Sequence, residues 1–198
     1  MFRRRIRPAR SRQGCELHLP PEERRLLASL PSQLQAVLDA TESSREVPDS
    51  LKRLFPPAYV RDDEAQASFR EATHSELTAS HQAALAVLAD SADAARLDEE
   101  QMAAWMTALN DLRLVLGTVL QVTDDGVAGD QDPQSSELVI YHYLTMLQSE
   151  LIDVMERWLP EPVPGADDLV PDDPWGEPLG GLRWDGTPQP TWPPRPEL

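Results

Sequence analysis

The chain has 198 residues, a formal net charge of −16 and 40% apolar residues, which suits one domain with a real core rather than a disordered string. Its single cysteine, Cys15, excludes an internal disulfide and a zinc site built on cysteine pairs. Residues 61–159 hold five arginines against nineteen acids, a poor balance for gripping DNA, whose affinity comes largely from cations that neutralise phosphates.

Residues 1–20 form a basic arm, with Arg3, Arg4, Arg5, Arg7, Arg10 and Arg12 unaccompanied by any acid in the first twelve positions. No apolar run follows them, so a signal peptide is not expected, and no stretch approaches a membrane span. A reducing cytoplasm is the expected location. Phe2, Ile6, Cys15, Leu17 and Leu19 alternate weakly around Pro8 and Gly14, which fits a short β-hairpin or a frayed terminus.

From Pro21 the period becomes helical. Glu22 and Glu23 suit the dipole of a first turn, and Leu26, Leu27, Leu30, Leu34, Val37 and Leu38 form one stripe that Pro31 is expected to kink or split. A short helical turn ends at Phe55, and Pro56-Pro57 force an extended link toward Tyr59. Asp62 and Asp63 cap the next helix. Thr73 and Glu76 read as a capping box opening another, which runs to about Leu88 on Leu77, Ala84, Leu85 and Leu88. Asp98 with Gln101 opens a helix on Met102, Trp105, Leu109, Leu112, Leu116 and Leu120.

Gly126 and Gly129 mark a loop, and Asp132-Pro133 starts a last helix that reaches about Trp158. That helix is apolar on most sides and is expected at the centre of the bundle. The predicted fold is therefore all-α in the main: one bundle of about five to six helices over 21–159. The segment 160–198, with eleven prolines and a charge of −6, is expected to be a disordered tail. Its Trp175, Trp184 and Trp192 are either partner anchors or incidental.

Little catalytic chemistry is legible. Glu71 and His74 have the spacing of one half of a di-iron carboxylate site, but no second copy exists, and His74 with His81 lacks a third ligand, so both histidines are expected at the surface. No metal, no cofactor and no enzyme activity is assigned. A helix-turn-helix over 62–90 would present a second helix without a single Lys or Arg, which argues against a major-groove role. Asn110 and Arg113 form a polar stripe with Met106 and Gly117, and Tyr59, Asp62 and Asp63 are the expected partners of a structural polar network. Cys15, bracketed by Arg12 and His18, is either a buried inert thiol or a redox-sensing one.

Four separated segments carry a resemblance: RLFPPAY at Arg53 to Tyr59, DDEAQASFR at Asp62 to Arg70, ALNDLRLVLGT at Ala108 to Thr118 and YHYLTMLQSEL at Tyr141 to Leu151. Over about residues 1–159 the chain resembles an actinobacterial family of oxidative-stress transcriptional regulators, the AosR family, typically encoded beside the adaptor ClpS. The resemblance implies a redox-responsive accessory transcription regulator that acts with a sigma factor at oxidative-stress and cysteine-biosynthesis promoters. On that reading the acidic body meets a sigma factor or RNA polymerase while the arginine arm helps hold DNA. A lone Cys15 would have to sense through an intermolecular or mixed disulfide or a sulfenic acid. The other reading is an acidic helical interaction module or adaptor linked to Clp proteolysis, with no direct DNA binding. A homo-oligomer is compatible with both.

Overall fold

In the computed structural model, which describes residues 4–10, 14–42, 47–123, 126–127, 132 and 134–157, the leucine stripes become four helices and the alternation around Cys15 becomes a small sheet. The expected tail and its tryptophans, together with Phe2, Gly129 and Trp158, lie outside the described residues.

Helix α1 spans Pro21–Glu42 and buries Leu27, Leu30, Leu34 and Leu38. Pro31 lies inside it and does not split it. An interior proline costs about 3 kcal/mol through its missing hydrogen bond and ring clash, yet a fully buried leucine contributes about 1.5–3 kcal/mol. The stripe on both sides of Pro31 therefore outweighs the break. Val37 falls off the stripe and is 39% exposed.

After a 3-10 turn at Asp49–Leu51, helix α2 runs unbroken from Asp63 to Ser91. The Asp62 side chain accepts from the Ala65 N–H at 2.9 Å, the expected cap. The second start at Thr73 is not used: its hydroxyl donates back to the Phe69 carbonyl at 2.9 Å, a bond that an ongoing helix supplies. This accounts for four helices among the described residues where five to six were expected, and it removes the turn of a helix-turn-helix. Leu77 is 38% exposed because the buried face of α2 follows Thr78, Leu85 and Leu88 instead.

Helix α3, Glu99–Val119, opens with the complete Asp98–Gln101 capping box. It packs against α1, α2, the 3-10 turn and helix α4, which spans Ser136–Glu156. The centre of the bundle is thus α3 rather than α4, whose Val139 and Ile152 remain exposed. Trp105 of α3 is fully buried and donates its indole N–H to the Ser91 hydroxyl at 2.7 Å. Helix α4 begins later than expected: Ser135 is its N-cap, while Asp132 accepts from the Gln134 N–H in the turn before it.

Strand β1, Ile6–Pro8, pairs antiparallel with β2, Cys15–Leu17, and β2 pairs in turn with β3, Arg96–Leu97, on the α2–α3 connection. The hairpin is therefore one part of a three-stranded sheet, and Ile6, Cys15, Leu17 and Leu97 face the core. Gly14 has φ +87°, and a Cβ there would lie 2.0 Å from the Leu97 carbonyl oxygen, so only glycine fits the crossing. A two-stranded ribbon, β4 at Val122–Thr123 with β5 at Gly126–Val127, follows α3. Among the described residues no helix is long and apolar enough to cross a membrane.

Candidate functional site

The arginine arm lies on its own protein's acids. Arg5 donates through Nη2 to Glu23 Oε1 at 2.8 Å and through Nε to the same carboxylate, while the Tyr143 hydroxyl donates to Glu23 Oε2 at 2.9 Å. Glu150 accepts both the Arg5 and Ile6 backbone N–H groups, at 2.7 and 2.9 Å. Strand β1 is thereby fastened to α1 and α4, and Arg4 adds an exposed pair with Asp153. Burial works to raise the Glu23 carboxyl, but the bonds from Arg5 and Tyr143 outweigh it and hold the group below its ordinary range. Burial first, then Glu23, pushes the Tyr143 phenol up. Arg10 is exposed and Arg7 half-buried; Arg3 and Arg12 lie outside the described residues.

Cys15 is fully buried, and burial pushes its thiol up to about 11, against a weaker opposing pull from the Leu97 backbone. At neutral pH burial therefore favours the thiol over the thiolate. His18 does not activate it: that side chain is exposed and lies 3.7 Å from Glu16.

The expected network of Tyr59, Asp62, Asp63, Asn110 and Arg113 is not brought together. Arg113 takes its partners from α4, donating to Thr145 Oγ1 at 2.9 Å and to Gln148, with its guanidinium over the Tyr141 ring. Tyr59 is half exposed and packs edge-on against Phe69, Asp62 caps α2, and Asp63 is exposed. Asn110 is half-buried on α3. The reason is the orientation of α3, which turns Arg113 toward α4, one turn from the Gly117 position where Tyr141 Cε2 would stand 3.4 Å from an added Cβ.

A polar seam that sequence reasoning placed at the surface lies instead beneath Phe55, in the segment that follows the 3-10 turn. His81 Nδ1 of α2 is 2.6 Å from Asp111 Oδ2 of α3, and Asp111 is 2% exposed. The Phe55 ring covers both His81, at 5.6 Å between centroids, and His74, at 4.8 Å. The Asp111 bond raises the His81 pKa above its usual 6.5, burial pulls against it, and the Leu54 backbone adds to the rise. Among the described residues, His74 Nδ1 and Thr78 Oγ1 are buried without a hydrogen-bond partner. The signal for this seam was available: the buried phase of Leu88 and Leu85, carried back along α2, passes through His81, Thr78 and His74. Among the described residues no cluster of three His, Cys, Asp or Glu side chains is arranged to hold a metal ion.

The family described as a domain of unknown function, DUF2017, matches residues 3–155. A Mycobacterium tuberculosis protein named oxidative stress regulator AosR is 28% identical over 175 residues, covering 69% of this chain and 80% of that protein. A Mycobacterium bovis protein of the same name matches to the same extent. A Mycobacterium leprae protein that carries the AosR name provisionally is 29% identical over 136 residues, 58% of this chain, and the chain spans 62% of that relative's length. No solved structure matches the chain.

Proposed function

This chain belongs to the DUF2017 family, and from that premise we propose that it is a regulator of the oxidative-stress response, acting on transcription through a protein partner. The partner in this reading is a sigma factor or RNA polymerase at stress and cysteine-biosynthesis promoters. The observation that carries it is the 28% identity over 80% of the length of mycobacterial proteins named oxidative stress regulators.

The distribution of charge supports contact with protein rather than with DNA alone. Arg4 and Arg5 are already paired with Asp153 and Glu23, and residues 61–159 carry a net −14 that repels a duplex. Burial of Cys15 favours a scheme in which the redox signal reaches the folded chain through its partner. Transcription in vitro tests the reading, with purified host polymerase, each sigma factor and stress promoters, with and without the chain and peroxide. Direct binding to one sigma factor or to polymerase and a changed output are expected; neither effect under any condition would remove the proposal.

A further inference from the structure

Where the C-terminal half of α2 runs beside the N-terminal half of α3, a groove of about 690 Å³ opens between them. Its walls are built from small side chains, Ala83, Ala84 and Val87 on α2 and Ala103 and Ala104 on α3. Ala83 and Ala103 are exposed. Asp90, Asp98 and Glu100 also line it, all exposed, and none of the described lining residues is a cation. From Ser80 to Ser91 the α2 wall rises about 16 Å, room for roughly three turns of another helix. Alanine walls let a second backbone approach closely, and exposed carboxylates around them select the sign of what enters. A second copy of this chain, at a net charge of −16, is the wrong sign.

We propose that this groove seats a basic amphipathic helix of a protein partner, with its small apolar face on Ala83, Ala103 and Ala104 and its lysines and arginines toward Asp90, Asp98 and Glu100. The inference rests on the regulator reading for the existence of a protein partner, and adds where that partner is held and by what chemistry. Hydrophobic contact sets the fit, and the acidic residues accelerate encounter and make it sensitive to salt.

The probe is a synthetic helical peptide of about three turns, alanine and leucine on one face and lysine and arginine on the other, titrated into the full chain while amide shifts and affinity are followed. Shifts confined to 80–91 and 98–107 are expected. Ala83→Trp, which fills the groove from an exposed position, and the pair Asp90→Lys with Glu100→Lys should each weaken binding about tenfold or more, about 1.4 kcal/mol. The control pair Glu137→Lys with Glu156→Lys makes the same charge change on exposed sites of α4 that do not line the groove and should alter affinity by less than about twofold, because salt screens exposed charges that make no contact. No peptide binding, shifts elsewhere, or equal weakening by the control pair would overturn the proposal. The regulator reading is judged separately by transcription, so the failure of one is distinguishable from the failure of the other.

Discussion

The N-terminal polar seam and the histidine seam are made of the same kinds of groups and end differently. In the first, Glu23 receives Arg5 and Tyr143 while Glu150 receives two backbone N–H groups, and three elements are tied by bonds that all close. In the second, one short contact joins His81 to Asp111, and among the described residues the buried His74 Nδ1 and Thr78 Oγ1 beside it have no partner. A closed buried network fixes geometry, whereas an open one stores a desolvation cost. The arginines that read as a nucleic-acid arm thus belong in part to the scaffold, and the residues that read as a solvated surface belong to a buried polar joint.

The comparison is broken most sharply at Glu23. Glu23→Ala removes the carboxylate that accepts from Arg5 Nε and Nη2 and from the half-buried Tyr143 hydroxyl, and denaturant unfolding should show a loss of about 3 kcal/mol. A loss under about 1 kcal/mol would mean that the closed seam contributes no more than a surface pair.

Asp111→Asn should cost about 2 kcal/mol by leaving His81 without its carboxylate, and it should also flatten a pH dependence. The folded His81 pKa lies above the usual 6.5, so its contribution to stability is full below that value and is lost as pH rises through the folded pKa. Unfolding midpoints measured between about pH 5 and 9 should fall across that window in the wild type. They should change little in the variant.

Thr78→Val keeps the shape and deletes a hydroxyl that has no partner. It should raise stability by about 1 kcal/mol, the reverse of the usual sign for a buried polar-to-apolar exchange. A clear loss would show that the hydroxyl is satisfied in solution. Smallest of all, Arg4→Ala should change stability by less than about 0.5 kcal/mol, because its pair with Asp153 is exposed on both sides.

Legibility followed the range of the interaction. The caps at Asp62 and at Asp98–Gln101, the leucine stripes apart from Val37 and Leu77, and the strand alternation around Cys15 are local, and the structure has them where the sequence pattern puts them. Thr73 carries the same local signature as a true cap but continues α2, because tertiary packing of the buried Thr78–Leu88 face holds the helix through it. Pro31 is overridden for the same reason. Partner choice was the least legible: nothing near Arg113 in sequence names Thr145 and Gln148, and nothing near Arg5 names Glu150. The relatives are named for oxidative-stress regulation, and in this chain the polar seams say which charges are already engaged.

The most direct measurement is fluorescence anisotropy of a labelled stress-promoter duplex titrated with the full chain, alone and then with polymerase holoenzyme, across a range of salt. The account predicts no binding by the chain alone at physiological salt and a response that appears only with the protein partner. Tight, steeply salt-dependent binding by the chain alone, lost on Arg7→Ala with Arg10→Ala, would contradict it.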